Sequence, residues 1–361
     1  MKKIVTILGA RPQFIKSSAV SRQILKHNKK FDSLKEIIIH TGQHFDERMS
    51  NIFFDEMSIQ KPKYFLDIND KSHGAMTGQM IEKIEQALLK ENPDWVLVYG
   101  DTNSTLAGAI AASKLNIKIA HVEAGLRSFN MQMPEEINRI LTDRLSSILF
   151  CPTDTAIKNL QNEGISNWKN EVRTSLCGDV MLDCSLFYKK LAKKPINIQV
   201  DNEYVLCTIH RAENTDNKTR LQNIFSGLNE ISKKIQIILP IHPRTKNLIQ
   251  NINIDKSNIK IVEPVGYLNM IWLIDNCNLV LTDSGGLQKE AYFFKKNCIT
   301  LRDETEWTEL VDIGANQLAG TNKNDILDAY TRFMNVSDAH FELKLYGDGN
   351  ASKSIVSELA R

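Results

Sequence analysis

Short apolar runs alternate with stretches of helical period along the whole chain of 361 residues. The runs are roughly four to seven residues long, which is the length of a strand and too short for a typical helix. Nearly continuous Val, Ile and Leu in such runs is typical of parallel strands that are covered on both faces, and helical segments between them are the connections that parallel strands need. The pattern therefore predicts an α/β protein.

Two groups of strands follow from this pattern. Between about residues 165 and 200 the alternation loosens into polar stretches, which predicts a junction between two doubly wound αβα Rossmann-like domains. We expect the first domain at residues 1–170 together with a C-terminal helix at about 349–361, and the second at 171–348, with a hinge and a cleft between them. The predicted strands are Lys3–Leu8, Glu36–His40, Asp94–Tyr99, Ile117–Val122, Leu149–Cys151, Leu176–Asp179, Tyr204–Ile209, Ile235–Ile241, Ile259–Val262, Leu279–Thr282 and Cys298–Leu301, and Ser352–Ala360 is a predicted helix.

Composition excludes several classes of protein. The chain is 42% hydrophobic and 24% charged, which is ordinary for a globular protein, and its net charge of +2 provides no basic field for nucleic acid. The apolar runs are too short to span a bilayer, and the first one predicts a strand and not a signal peptide. Six scattered cysteines without a CxxC pair favour reduced thiols in a cytoplasmic protein, and the histidines show no metal-ligand spacing.

One junction between a predicted strand and a predicted helix has the composition of a phosphate site. In VLTDSGGLQKEA (280–291) the strand passes through Ser284, Gly285 and Gly286 directly into the helix. Two glycines leave no β-carbons in the way, so the first N–H groups of the helix can face an anion at the positive end of the helix dipole. We expect a diphosphate there, with Glu290 one turn further as a ligand for ribose hydroxyls. The alternative is a tight turn with an ordinary Ser cap.

Polar side chains also collect where the predicted strands end, and ligands of doubly wound sheets bind at the carboxyl ends of the strands. Arg11 and Lys16 lie about one helical turn apart after the first strand and can both face a phosphate; the alternative is a pair of solvated cations. The same turn lacks GxGxxG, which argues against a nicotinamide site. The polar residues at strand ends are Arg11, Gln43, Asp101, Glu123, His210, His242, Ser284 and Arg302.

Three carboxylates in the first predicted domain form a candidate acid–base group. Asp101 and Glu123 follow strands, and Glu135 opens a helix. If they converge, burial and mutual repulsion raise at least one pKa and provide an acid and a base near neutral pH. The alternative is that Asp101 caps the following helix and Glu135 only satisfies a helix N-terminus. His210, directly after a buried strand, and His242, in the same kind of position, are further candidates.

These motifs together resemble the non-hydrolysing UDP-N-acetylglucosamine 2-epimerase family, which has a two-domain architecture of the glycosyltransferase-B type. The resemblance runs almost end to end, in the order GARPQFIK, HTGQHFDERMS, VYGDTNSTLAGA, HVEAGLRSFN, MPEEINRILTD, HRAENTD, HPRT, VGYLNM, TDSGGLQKEA and RDETEW. GARPQF, RSFNMQMPEEINRILTD and TDSGGLQKEAYFF look more like the branch that acts on UDP-2,3-diacetamido-2,3-dideoxyglucuronic acid. That branch makes the manno-configured sugar for lipopolysaccharide O-antigen or capsule.

The resemblance implies a reaction in which a base removes the C-2 proton while UDP leaves from C-1, followed by protonation of the glycal on the other face and return of UDP. It implies no cofactor and no metal, a UDP-sugar as substrate, a homodimer, and neither nucleic acid nor membrane as partner. Which carboxylate abstracts the proton and which returns it stays open. By matching motifs, the catalytic residues are Asp101, Glu123 and Glu135 with His210 in support, and the UDP-binding residues are Arg11, Lys16, Ser284, Gly285, Gly286, Glu290, Arg302 and Glu306.

Some bacterial members are activated by a second substrate molecule, and the matching positions here are Gln43, His44, Glu136, Arg211 and His242. An arginine that members carry near residue 69 is replaced in LDINDKSHG, which argues against this regulation and favours the uronate branch. Four functions therefore compete: the epimerase, with the uronate or with UDP-N-acetylglucosamine as substrate; a glycosyltransferase of the same fold; a hydrolysing 2-epimerase that releases UDP; and a non-catalytic nucleotide-sugar sensor.

Overall fold

The computed structural model describes residues 1–43, 54, 59–69, 72–168, 171–241, 243–250, 259–335 and 341–361. The chain divides into two compact units: unit 1 comprises Met1–Cys184 and Leu345–Arg361, and unit 2 comprises Ser185–Lys344. Each unit contains one sheet whose strand pairs are all parallel. The predicted α/β class with two doubly wound sheets is confirmed.

Unit 1 is built on a seven-stranded sheet in the order β3-β2-β1-β4-β5-β6-β7. The order reverses between β1 and β4, which is the topological switch point where such sheets bind ligands. The strands are β1 Lys2–Leu8, β2 Leu34–His40, β3 Tyr64–Phe65, β4 Trp95–Tyr99, β5 Lys118–Val122, β6 Ile148–Cys151 and β7 Arg173–Leu176. The helices are α1 Arg11–Phe31, α2 His73–Glu91, α3 Asn103–Lys114, α4 Pro134–Leu145, α5 Asp154–Asn162, α6 Val180–Lys189, which runs into unit 2, and a C-terminal helix, Ala351–Ala360.

Unit 2 repeats the arrangement with six strands in the order β10-β9-β8-β11-β12-β13, and its switch point lies between β8 and β11. The strands are β8 Tyr204–Thr208, β9 Gln236–Pro240, β10 Ile259–Val262, β11 Leu279–Thr282, β12 Cys298–Thr300 and β13 Asn316–Leu318. The helices are α7 Ala212–Thr215, α8 Lys218–Ser232, α9 Pro243–Gln250, α10 Tyr267–Asn276, α11 Gly285–Phe293, α12 Thr308–Asp312 and α13 Lys323–Phe333. The C-terminal helix of unit 1 is α14.

The cores explain the sequence pattern, because the central strands are buried on both faces. In unit 1, Val5, Ile7, Val96 and Val98 are all 0% exposed and belong to one apolar cluster. Strands β8, β9 and β11 supply a second cluster in unit 2. Continuous Val, Ile and Leu runs were therefore a sound basis for placing the central strands.

The terminal helix belongs to unit 1 because its N-terminus is satisfied there. The carboxylate of Asp183 accepts hydrogen bonds from the backbone N–H groups of Ala351 (3.1 Å) and Ser352 (2.8 Å) and from the Ser352 hydroxyl (2.6 Å). A carboxylate at a helix N-terminus also interacts favourably with the helix dipole. The prediction of a helix at Ser352–Ala360 is confirmed, with its start one residue earlier.

Two predictions of elements need correction. The strand predicted at Leu176–Asp179 is β7, Arg173–Leu176, and the division of the chain lies at Cys184 and not near residue 170. β7 pairs with β6 at the edge of the sheet and is largely exposed, so it has a polar sequence that the apolar pattern does not mark.

The two short strands Tyr64–Phe65 and Asn316–Leu318 were not predicted, since two or three residues carry no periodicity.

The described ranges also bear on the expectations about membrane-spanning helices and about the cysteines. No helix in them is long and apolar enough to cross a membrane. All six cysteines are free thiols, and five of them are buried.

Candidate active site

At the switch point of unit 1, one glutamine joins the loops that follow β1 and β4. The Gln13 side-chain oxygen accepts hydrogen bonds from the N–H groups of Gly9 (2.8 Å) and Ala10 (3.0 Å). Its amide nitrogen donates to the Tyr99 carbonyl (2.8 Å) and to the Thr105 hydroxyl (2.9 Å). Gln13 is 1% exposed. The fully engaged amide therefore fixes the two loops that begin with Gly9 and Gly100.

Gly9 is required by close packing. A β-carbon there would lie 2.0 Å from the Ser104 hydroxyl oxygen and 2.3 Å from that of Thr41. The side-chain oxygen of Gln43 accepts from the Ser104 N–H (3.0 Å) and hydroxyl (2.7 Å). Gln43, predicted as a binding residue, thus holds the N-terminus of α3 against the loop that follows β2.

Asp101 follows β4 and is ion-paired with Arg139, whose Nη2 lies 2.6 Å from its Oδ2. Burial raises the pKa of Asp101. The positive charges of Arg139 and Lys16 lower that pKa, and the negative charges of Glu123 and Glu135 raise it. The net direction is upward. One third of the Asp101 side chain (33%) is nevertheless exposed. The structure thus brings Glu123 and Glu135 within electrostatic range of Asp101.

The alternative interpretation of Asp101 as a helix cap is not what the structure shows. The N-cap of α3 is Thr102, whose side chain accepts a hydrogen bond from the Thr105 N–H. Glu135 lies exposed in the first turn of α4, as a residue that favours a helix N-terminus would. Asp101 is therefore available for another role, whereas the position of Glu135 fits both interpretations.

Glu123 occupies a strained position at the end of β5. Its φ of 68° lies in the left-handed region, which costs energy for a residue with a β-carbon. Such strained residues occur at turns and helix ends, and they also cluster at functional sites. The carboxylate is 4% exposed and ion-paired with the ammonium group of Lys16. A β-carbon on Gly100 would lie 3.5 Å from this carboxylate and 3.6 Å from the Lys16 nitrogen. The ion pair thus lies beside the Gly100–Asp101 turn.

A fully buried network supports this turn. His121 Nε2 lies 2.8 Å from the Gly100 carbonyl and Nδ1 lies 2.7 Å from Asp143 Oδ1. The second oxygen of Asp143 accepts from Arg127 (2.7 Å) and from the Gly125 N–H (3.1 Å). Burial alone would raise the pKa of Asp143, but His121 and Arg127 outweigh it and hold that pKa below its ordinary value. These residues fix the turn and the end of β5 relative to each other.

Glu136 is held by hydrogen bonds to the loop before α4. It is 1% exposed and accepts hydrogen bonds from the Ser128 N–H (2.9 Å) and hydroxyl (3.0 Å) and the Phe129 N–H (2.9 Å). Arg139 lies 3.1 Å from it. This carboxylate closes the loop before α4, so binding a second substrate molecule would require it to exchange these contacts. Within the described part of the chain, Nε of Arg139 makes no hydrogen bond, and Nη1 is the atom that forms the ion pair with Glu136.

At the switch point of unit 2, His210 follows β8 and Asp283 follows β11. His210 Nδ1 lies 3.1 Å from Asp283 Oδ1, and the backbone N–H groups of His210 and Arg211 both donate to the same carboxylate. Asp283 is fully buried, whereas 55% of the His210 side chain is exposed. Burial would raise the pKa of Asp283, but the contacts with His210 and the backbone hold it below its ordinary value.

The N-terminus of α11 has the form that the sequence predicted. Ser284 occupies the N-cap position, yet among the described residues its side chain caps no N–H group of the helix, contrary to the alternative of an ordinary Ser cap. A β-carbon on Gly286 would meet no atom within 4 Å, so this face is open. A β-carbon on Gly285 would lie 2.1 Å from Glu306 Oε1. The first N–H groups of a helix have no partners within the helix, and an anion satisfies them.

Three further predicted residues are Glu290, which lies in this helix, and Arg302 and Glu306, which follow β12. Glu290 is 8% exposed and accepts a hydrogen bond from the Tyr267 hydroxyl (2.9 Å). Nη1 of Arg302 lies 3.0 Å from Oε2 of Glu306. Burial raises the pKa of Glu306, but the positive charges of Arg302 and Arg211 outweigh burial and hold that pKa below its ordinary value. In the described residues, Nε of Arg302 makes no hydrogen bond.

Not every predicted residue can be placed. Arg11 is exposed at the first position of α1, and Lys16 lies partly buried one turn further. His242, His44 and part of the segment around residue 69 lie outside the described residues. In the ranges that the structure describes, no group of three or more His, Cys, Asp or Glu residues is arranged to hold a metal ion.

The partners of the predicted residues were missed by the sequence analysis. These are Gln13, His121, Arg139, Asp143 and Asp283. The only signal for them is that each lies within or beside a motif that also contains a predicted residue.

Both units thus place polar groups at the switch point of a doubly wound sheet, where such sheets bind ligands. Two such sheets define an α/β fold of the glycosyltransferase-B type. A structure of Acinetobacter baumannii MurG has this fold: it matches the chain with a TM-score of 0.57 at 13% identity, covering 99% of both chains. At that identity the match is evidence for the fold alone.

Closer relatives identify the family. The family model described as UDP-N-acetylglucosamine 2-epimerase matches residues 26–360. The UDP-2,3-diacetamido-2,3-dideoxy-D-glucuronate 2-epimerase of Pseudomonas aeruginosa is 53% identical over 360 residues, covering 99% of both proteins. A structure of the Methanocaldococcus jannaschii UDP-GlcNAc 2-epimerase in complex with UDP-GlcNAc and UDP has a TM-score of 0.87 and 46% identity, covering 99% of both chains. The chain belongs to the UDP-N-acetylglucosamine 2-epimerase family.

Membership confirms the resemblance that the motifs indicated. The protein is an isomerase, a non-hydrolysing UDP-sugar 2-epimerase.

Proposed function

We propose that the protein inverts C-2 of UDP-2,3-diacetamido-2,3-dideoxyglucuronate, from the gluco to the manno configuration, by elimination and re-addition of UDP. The substrate assignment is supported by the 53% identity to the Pseudomonas aeruginosa enzyme over the full length. The second candidate substrate is UDP-N-acetylglucosamine, supported by the likeness to the Methanocaldococcus jannaschii enzyme.

The observation that carries the proposal is the group of Asp101, Glu123 and Glu135 at the switch point of unit 1. In the first half of the reaction a carboxylate takes the C-2 proton, the C-1–oxygen bond to UDP breaks, and a glycal with a C-1=C-2 double bond forms. In the second half a carboxylic acid returns a proton to the other face of C-2, and a UDP oxygen adds to C-1. Protons and electrons balance, since one proton is taken and one is returned.

The surroundings of the carboxylates suggest a division of roles. Glu123, ion-paired with Lys16, is favoured as a carboxylate and suits the base. Burial and the neighbouring negative charges raise the pKa of Asp101, which suits a group that holds a proton and returns it. Exposed Glu135 adds negative charge near Asp101 and is the third candidate for proton transfer.

We assign the nucleotide to unit 2. The N–H groups at Ser284, Gly285 and Gly286 receive the diphosphate, and Glu290 receives the ribose hydroxyls. His210 contacts the leaving diphosphate, and Arg11, Lys16, Arg302 and Glu306 complete the predicted set of substrate-binding residues. Cations and oriented N–H groups stabilise the negative charge that develops on UDP as the C-1–oxygen bond breaks.

The test is product analysis by NMR with the two UDP-sugars side by side, using Asp101→Asn as the inactive control. We expect conversion of the uronate to its manno epimer at a higher kcat/KM than for UDP-N-acetylglucosamine, with no free UDP accumulating. Turnover of UDP-N-acetylglucosamine alone would reverse the substrate assignment. UDP released in step with product would indicate a hydrolysing enzyme, and a new glycosidic bond would indicate a glycosyltransferase.

A cytoplasmic homodimer that supplies the manno-configured sugar for lipopolysaccharide O-antigen or capsule completes the proposal. A sugar activated as a UDP derivative is a donor for glycosyl transfer, so a glycosyltransferase is the class of enzyme that consumes the product. Sedimentation of the purified protein tests the dimer.

A further inference from the structure

Asp283 makes an unusual number of contacts for a carboxylate that the family resemblance did not mark. It lies between β11 and the Ser284–Gly286 turn and is 0% exposed. Its two oxygens accept from the backbone N–H of His210 (3.1 and 3.0 Å), and Oδ2 accepts from the Arg211 N–H (3.0 Å) and from the Asn214 side-chain amide (3.2 Å). The remaining contact is His210 Nδ1, 3.1 Å from Oδ1.

This contact determines which nitrogen of His210 carries the proton. A carboxylate oxygen only accepts, so the Nδ1 that faces it must be the donor. In the neutral ring, Nε2 then has the lone pair, and in the imidazolium Nε2 is a second donor. Since Nδ1 is engaged by a buried group and 55% of the side chain is exposed, Nε2 is the ring atom left for a ligand.

We propose that Asp283 is a positioning residue for the epimerisation: it holds His210 with Nδ1 protonated and stabilises the imidazolium that presents Nε2–H to the leaving diphosphate. This inference rests on the proposed function, in which His210 contacts that diphosphate.

The surroundings of Asp283 favour this role over simple packing. Burial of an ionised carboxylate is costly unless it is paired and hydrogen-bonded, and here four donors surround it. Those donors hold the pKa of Asp283 below its ordinary value, so the carboxylate stays ionised and a shared proton resides on His210. The same residue follows β11 directly, so one side chain links the imidazole to the turn that we assign to the diphosphate.

A double-mutant cycle tests the proposal through the steady-state kinetics of wild type, Asp283→Asn, His210→Asn and the double variant. Asp283→Asn should lower kcat at least about tenfold, because a correctly oriented acid–base group contributes about 10²–10⁴-fold, while KM changes by less than about threefold. In the His210→Asn background the same substitution should change kcat by less than about twofold, since Asp283 acts through His210. Equal losses of kcat in both backgrounds would show a merely structural role and overturn the proposal.

Asn214→Ala is the matched control, because it removes another donor to the same carboxylate without touching the imidazole. We expect its thermal stability to fall as in Asp283→Asn and its kcat to stay within about threefold of wild type. A kcat loss as large as that of Asp283→Asn would contradict the proposal.

The protonation state of His210 provides a readout that does not depend on activity. In protein labelled with ¹⁵N-histidine, the neutral ring of His210 should carry its hydrogen on Nδ1 in wild type and should lose that preference in Asp283→Asn. A neutral ring protonated on Nε2 in wild type overturns the proposal even if Asp283→Asn does not fold. If the NMR result is as expected and no UDP-sugar is epimerised by wild type, the proposed function has failed and the pairing of Asp283 with His210 stands.

Discussion

His40 ends the second strand of unit 1 and lies between two aromatic rings. The centroids of Phe14 and Phe65 are each 4.7 Å from its ring, and Nδ1 accepts a hydrogen bond from the Gly42 N–H (2.9 Å). An accepting Nδ1 and a 4% exposed side chain both favour the neutral imidazole. Burial lowers the pKa of His40 to about 4, from an ordinary value of 6.5.

This lowered pKa predicts a loss of stability in mild acid. The unfolded chain binds a proton at His40 below pH 6.5, whereas the folded protein does not until about pH 4. The stabilising contribution is therefore present above pH 6.5 and is lost as the pH falls toward 4. Between pH 7 and 4.5 we expect the free energy of unfolding to fall by roughly 2–3 kcal/mol more in wild type than in His40→Gln.

Urea unfolding at both pH values measures this difference. His27→Gln is the control, because His27 is half-buried on α1 and hydrogen-bonded to the Ser33 hydroxyl. The same pH dependence in His40→Gln as in wild type would show that His40 is not the group responsible.

At the residue scale, the sequence was sufficient to place polar residues at the ends of strands, but it was insufficient to identify the residues that pair with them. Asp101, Glu123 and His210 could be selected because each follows a buried parallel strand and so lies at the carboxyl edge of its own sheet. Arg139 lies 38 residues after Asp101, and Asp283 lies 73 residues after His210. Such pairings depend on how distant segments pack, which no local pattern encodes.

At the element scale, the junction of β11 and α11 shows how a short turn prepares a site. Gly285 gives room for the Glu306 carboxylate, and Gly286 leaves the end of the helix open. This junction could be predicted because a short apolar run indicates its strand and two adjacent glycines indicate its turn, and both features are visible in the local sequence. Edge strand β7 was misplaced because an exposed strand carries polar residues, and the strand signal in the sequence depends on burial.

Substitution of Gly286 by Ala tests the phosphate assignment. The added β-carbon meets no atom within 4 Å in the structure, so the free energy of unfolding should not decrease. By the assignment it would, however, stand where a phosphate approaches the N–H groups, and overpacking of about 1–3 kcal/mol should raise the Kd for UDP at least about fivefold in calorimetric titration.

Gly78→Ala is the matched control, because Gly78 lies inside α2 and its added β-carbon also meets nothing within 4 Å. It should leave the Kd for UDP unchanged and stabilise the helix by about 0.5–1 kcal/mol. Equal UDP affinity of Gly286→Ala and Gly78→Ala would exclude the N-terminus of α11 as the diphosphate site.

At the scale of the whole molecule, the chain uses one architectural solution twice. Each unit has a single parallel sheet with one reversal of strand order, between β1 and β4 in unit 1 and between β8 and β11 in unit 2. The proposed acid–base residues Asp101 and Glu123 follow β4 and β5. His210 and the turn 284–286, which we assign to the diphosphate, follow β8 and β11. The alternation of apolar runs and helical segments was sufficient to predict both sheets, since buried parallel strands leave this pattern wherever they occur.

The exchange of the C-2 hydrogen with solvent is the measurement that tests this account most directly. When the wild-type protein acts on UDP-2,3-diacetamido-2,3-dideoxyglucuronate in D₂O, carboxylates that abstract and return the proton should place one deuterium at C-2 of the manno product, and Asp101→Asn should place none. NMR of the recovered nucleotide sugars detects it. Epimer formed with the original hydrogen retained at C-2 would contradict the elimination and the roles of Asp101, Glu123 and Glu135.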